Sequence, residues 1–70
     1  MPTLKTNLKY VRQEHNMKQE ELADLVGVRR ETIIRLEKGL YNPSLKLGMD
    51  IAKVFKMNVE ELFSFSEEDE

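Results

Sequence analysis

Apolar residues recur at helical intervals through most of the chain and break off where turn-forming residues fall. Leu8, Val11 and Arg12 lie at helical spacing in residues 7–15, which predicts a first helix. Leu22, Ala23 and Val26 form one stripe of a second over residues 19–26, and Gly27 stops it because glycine takes positive φ without a Cβ penalty. A third over residues 30–38 buries Ile33 and Leu36 and ends at Gly39. Tyr41, Asn42 and Pro43 read as a loop, since proline disfavours helical backbone at the residue before it. Ser44 is an N-cap for a fourth helix whose predicted buried face carries Leu45, Met49, Ala52 and Phe55. Asn58, with Glu61 three residues on, makes a capping-box-like start for a short fifth helix over residues 59–63. Alternation at residues 62–66 allows a short strand, with Thr3, Leu4 and Lys5 as its natural partner. Residues 66–70 read as an acidic, disordered tail. The expected class is all-α: a compact five-helix domain, with room for a two-strand ribbon pairing the N- and C-terminal segments.

At 70 residues the chain makes one domain and not two. It has no cysteine and one histidine, which excludes disulfides and thiolate chemistry and argues against a structural zinc or other metal site. No apolar run approaches the roughly 18 residues of a membrane span, and the N-terminal segment lacks a signal-type apolar stretch. The expectation is a cytoplasmic protein without cofactor, membrane partner or small-molecule ligand.

The formal net charge of −2 argues against nucleic acid, but its distribution does not. Residues 1–57 hold eleven Lys and Arg against seven Asp and Glu, whereas residues 58–70 hold six acids and no base. The most basic stretch, residues 29–46, sets five bases against Glu31 and Glu37. A basic patch beside an acidic tail fits phosphate binding. Each is equally readable as a solvated surface.

Catalysis finds no support. There is no phosphate-cradling glycine loop with its lysine, and no nucleophile paired with a base. The adjacent acids Glu20 and Glu21, like Glu60 and Glu61, diverge on their helices and suit the positive end of a helix dipole. His15 reads as a surface residue, and Met17 and Met49 as core filler.

The informative stretch is residues 19–38. Ala23 lets the second helix pass close to the third, Gly27 makes the turn, and Val28 and Ile33 plug the angle above Leu22 and Leu36. Two helices crossing steeply in this way make a helix-turn-helix. Arg29 stands at the N-cap of the third helix, where Ser, Thr, Asn or Asp is favoured by about 1 kcal/mol. Arg29 and Arg30 also put positive charge at the positive end of that helix, which costs roughly 0.3–1 kcal/mol each. Two local rules broken together point to function, and arginine there can fork onto guanine O6 and N7 or onto a phosphate.

Taken in order, Leu8-Lys9-Tyr10-Val11-Arg12, Gln19-Glu20-Glu21-Leu22-Ala23, Gly27-Val28, Thr32-Ile33, Leu36-Glu37-Lys38-Gly39, Asn42-Pro43-Ser44 and Glu61-Leu62-Phe63 resemble the Cro and phage-repressor type of helix-turn-helix regulator. The resemblance covers residues 7–63 and implies a repressor-like DNA-binding domain over that range. It implies that Gln19 bonds a DNA phosphate and that Arg29, Arg30, Glu31 and Arg35 reach base edges. It implies further that Asn42, Ser44 and the start of the fourth helix approach the backbone, and that Arg12 and Glu37 form a buried structural salt bridge. Thr32 is added as a base contact, though it serves equally as helix-face filler. Lys38 and Lys46 are added as phosphate contacts. Glu31 either accepts from cytosine N4 or orients Arg35, four residues along. Ile34 departs from the polar residue common in this family, as Lys18 does from the usual Ser or Thr cap.

The expected function is sequence-specific transcriptional regulation of the repressor kind, on double-stranded DNA, by a homodimer on a palindromic operator. Val59, Leu62, Phe63 and Phe65 are the expected dimer contact, since they are more apolar surface than a short C-terminal segment needs, with some of them expected instead to seal the protomer's own core against the first helix and Leu4. The alternative is a protein-interaction or antitoxin-type module with weak or no DNA binding.

Overall fold

In the computed structural model, which describes residues 2–67, strand β1 (Pro2–Thr6) leads into helices α1 (Leu8–Glu14), α2 (Gln19–Val26), α3 (Arg30–Glu37), α4 (Leu45–Phe55) and α5 (Val59–Leu62), then strand β2 (Phe63–Glu67). Helices α1 to α4 all close on one residue of left-handed backbone: Asn16 (φ 55°), Gly27 (73°), Gly39 (74°) and Lys56 (55°). The next N–H then bonds the carbonyl five residues back: Met17 to Arg12 (3.1 Å), Val28 to Ala23 (3.0 Å), Leu40 to Arg35 (2.9 Å) and Met57 to Ala52 (2.9 Å). Each bond satisfies a carbonyl that the helix end would otherwise leave open, and turns the chain sharply.

The helix starts are more varied. Ser44 Oγ accepts from the Leu47 N–H at 3.1 Å and caps α4. Thr6 Oγ1, and not Asn7, caps α1 by accepting from Leu8 N–H at 3.0 Å. At α2 and α5 a glutamate reaches back instead: Glu21 accepts from Lys18 N–H at 2.7 Å and Glu61 from Asn58 N–H at 2.8 Å. That is one half of a capping box.

The strands form an antiparallel ribbon, with Leu4 opposite Phe65 and Thr6 opposite Phe63. Pairing with Pro2 and Thr3 draws Glu67 and Ser66 into β2, so the expected disordered tail does not begin at Ser66. Residues 68–70 of that tail lie outside the described residues.

Leu8, Leu22, Ile33, Leu36, Ile51 and Leu62 are fully buried and bring every helix to one core. Each such side chain contributes roughly 1.5–3 kcal/mol by leaving water. Leu4 and Phe63 lay the ribbon over that core. The buried face of α4 is Leu47, Gly48, Ile51, Ala52 and Phe55. Leu45 and Met49, predicted on that face, are 76% and 47% exposed. Helix α4 is apolar on more than one side, so i, i+4 spacing alone does not choose which stripe turns inward.

Candidate nucleic-acid interface

Ala23 is buried where α2 meets α3, and Gly27 takes the left-handed backbone that sends the chain into α3. A polar network then holds the end of α3. Arg12 Nε donates to Glu37 Oε2 at 2.6 Å, and a second guanidinium nitrogen donates to Oε1 at 3.2 Å. The third donates to the Met17 carbonyl at 2.7 Å, and the Gln19 amide donates to Glu37 Oε1 at 3.1 Å. Both charged side chains are nearly out of water, at 10% and 4% exposure. Among the described residues no buried side-chain nitrogen or oxygen lacks a partner.

With its inner side fixed by Ile33 and Leu36, α3 presents Arg29, Arg30, Glu31 and Arg35 to solvent, and half-buries Thr32 and Ile34. Arg29, at the N-cap, has extended backbone and no side-chain cap bond. The two ion pairs among the described residues are Arg12 with Glu37 and Lys46 with Asp50, so the three exposed arginines of this face hold no carboxylate. Glu31 makes no hydrogen bond to Arg35 among those residues. A shallow cleft of about 390 Å³ is lined by Arg29, Glu31, Thr32, Arg35 and Tyr41. A second of about 450 Å³ lies between the starts of α2 and α3, lined by Arg12, Lys18, Gln19, Glu20 and Arg30.

The other backbone-facing candidates differ in how free they are. Lys38 and Asn42 are exposed at and just after the end of α3. Ser44 uses its oxygen as the α4 cap, yet its hydroxyl proton remains available to an external acceptor. Lys46 is held by Asp50 at 2.6 Å. Gln19 has one amide proton engaged by Glu37 and a second left for another acceptor.

A helix-turn-helix family model matches residues 8–62, which span all five helices. The chain belongs to the helix-turn-helix family of DNA-binding transcriptional regulators, of the Cro and phage-repressor type. It is 58% identical over 66 residues to an uncharacterized HTH-type transcriptional regulator of Archaeoglobus fulgidus, with 94% of this chain and 93% of the relative covered. It is 34% identical over 62 residues to the cryptic phage CTXphi transcriptional repressor RstR of Vibrio cholerae, covering 89% of this chain and 56% of that protein. The restriction-modification controller protein C.AhdI of Aeromonas hydrophila superposes with a TM-score of 0.73 at 32% identity, over 80% of this chain and 85% of that one.

A regulator of this family acts by binding and not by catalysis, and among the described residues no group of three His, Asp or Glu could hold a metal ion. No described helix is long and apolar enough to cross a membrane. His15 is exposed, stacks edge-on against Phe55 at 4.9 Å between ring centroids, and meets the Val11 carbonyl through Nδ1.

Two of the expected dimer residues are consumed inside the regulator itself. Leu62 and Phe63 are buried in its core, Val59 is half-buried, and only Phe65 stands well into solvent at 56% exposure. The cause is local: α5 is a single turn, and its apolar side, continued by Phe63, closes the core against α4. Tyr41, which the sequence reads only as loop, is 41% exposed and lines the cleft with Arg29 and Arg35; a large aromatic between a glycine stop and a proline is the sequence signal for such a surface position.

Proposed function

We propose that this regulator is a repressor that occupies a palindromic operator as a homodimer, with α3 in the major groove. Arg29, Arg30, Glu31, Thr32 and Arg35 read base edges. Gln19, Lys38, Asn42, Ser44 and Lys46 grip phosphates, and Tyr41 offers its phenol at the edge of the same face. The observation that carries the reading is the set of exposed arginines on α3 without carboxylate partners. Guanidinium groups left unpaired in the free protein need not break an internal bond before forking onto guanine or phosphate. The likeness to a phage transcriptional repressor favours repression over activation. One short α3 spans few base pairs, so useful specificity calls for two copies on half-sites about 34 Å apart. Its place of action is then the cytoplasm, where the DNA is.

Selection of bound sequences from a random duplex pool tests this reading. The expected product is an inverted repeat with half-sites one helical turn apart. Enrichment of a single unrepeated site, or of none, would remove the dimeric repressor.

A further inference from the structure

Beside the ribbon, α4 and α5 leave an apolar recess of about 160 Å³, with Leu4, Gly48, Val59 and Phe63 deep in it and Leu45 and Phe65 at its rim. We infer that this recess is the two-fold contact of the homodimer: Phe65 of one copy enters the recess of the other, and the reverse. The inference rests on the dimeric reading above and moves its contact surface from Leu62 and Phe63 to Leu45, Gly48, Met49, Val59 and Phe65.

Three observations favour a second copy of this chain as the occupant. Leu45 and Phe65, which line the recess, are 76% and 56% exposed, and Met49, which lines the depression that shares Val59 with it, is 47% exposed. At ~200 Å² for a large apolar side chain they leave roughly 350 Å² in water. Two such patches face to face supply about 700 Å² of an interface whose standard size is ~1,600 Å². That is enough for a dry centre within a polar rim.

The second observation is Gly48. Glycine is the poorest non-proline residue for a helix interior, yet Gly48 sits inside α4. Its φ is not left-handed, and a Cβ added there would meet only Val59 Cγ1, at an ordinary 3.8 Å. The protomer's own packing therefore does not require glycine. The missing side chain instead leaves the recess open.

The third is the pattern of the rim. Next to the recess, and sharing Val59 with it, a broader depression holds Lys53 and Lys56 from α4 and Glu60 from α5. A face that carries a projection and a recess, and both signs of charge, can pair with itself about a two-fold axis. It gives a partner of one sign no advantage.

Analytical ultracentrifugation of the whole chain without DNA tests the inference, with Leu45→Glu, Phe65→Ser and Gly48→Leu as variants. The expected result is a wild-type dimer at micromolar concentration and at least a ten-fold weaker association in each variant, with helical circular dichroism unchanged. Gly48→Leu also improves helix propensity, so a raised melting temperature of the monomer with weakened association separates contact loss from misfolding. A wild type that stays monomeric to 100 µM, or variants that associate as tightly as wild type, would overturn the proposal. Because no DNA is present, failure here is distinct from failure of operator binding: a dimer that ignores duplex leaves this surface standing and removes the repressor.

Discussion

Arg12 and Glu37 stand 25 positions apart in the chain and meet side by side in the fold, at 2.6 and 3.2 Å. Through Met17 and Gln19 the same pair ties the α1–α2 turn and the start of α2 to the end of α3. Glu37 is therefore the point where α1, the α1–α2 turn, α2 and α3 are tied together, beside the packing of Ile33 and Leu36. A buried pair adds little net stability, because desolvation offsets the attraction, but removing one partner strands the other. Glu37→Ala is expected to cost about 3–5 kcal/mol in urea unfolding, while Arg12→Met with Glu37→Leu recovers most of it. A single-variant loss as small as ~1 kcal/mol, the value of an exposed pair, would contradict the role given to the network.

Gly27 and Gly39 have nearly the same φ, 73° and 74°, in different surroundings. A Cβ at Gly27 meets nothing within 4 Å, whereas at Gly39 it meets the Leu4 carbonyl oxygen at 3.0 Å. Gly27→Ala is expected to cost roughly 1–2 kcal/mol for left-handed backbone alone, and Gly39→Ala more, because β1 must shift as well. Lys56→Gly, at the same kind of helix end, is expected to gain up to about 1 kcal/mol. Thermal unfolding ranks the three, at about 4–8 °C per kcal/mol. Equal losses at the two glycines would refute the close approach to Leu4.

These helix ends show what sequence could and could not disclose. Gly27 and Gly39 announce their turns because glycine is the default at positive φ. Asn16 and Lys56 adopt the same backbone without that signal, and only the geometry reveals that all four ends share one design. The ribbon was legible from alternation near Phe63 and Phe65. Its reach to Glu67 was not, because acidic composition reads as solvated tail unless the partner strand is known. Sequence does not place Leu45 and Met49, because α4 is apolar on more than one side and offers two stripes to the core. The pairing of Arg12 with Glu37 came from family resemblance, since no local rule joins residues so far apart.

Arg29, Arg35 and Lys38 lie on or beside the same helix and are expected to fail differently. Arg29→Ala or Arg35→Ala should relax base preference at one position of each half-site and cost about 1–3 kcal/mol on the preferred operator. Lys38→Ala should weaken all sequences alike and flatten the salt dependence by about one unit per half-site, about two for the dimer. Fluorescence anisotropy on matched and mismatched duplexes separates the two. Uniform weakening by the arginine variants would move them from base edges to phosphates.

Asp50 holds Lys46 at 2.6 Å in the free protein. Asp50→Asn frees the ammonium and removes a charge that repels phosphate, so affinity for any duplex is expected to rise severalfold at low salt. Unchanged affinity in the same anisotropy assay would take Lys46 out of the contact set.

The central claim, that the outward face of α3 lies against a duplex, is met most directly by titrating the protein with DNA across a range of salt concentrations. Counterion release sets the slope of log K against log salt at about −0.9 per phosphate neutralised, so a dimer using several bases per half should give a slope of roughly −4 or steeper. Absence of binding to any duplex at low salt, or binding indifferent to salt, would contradict it.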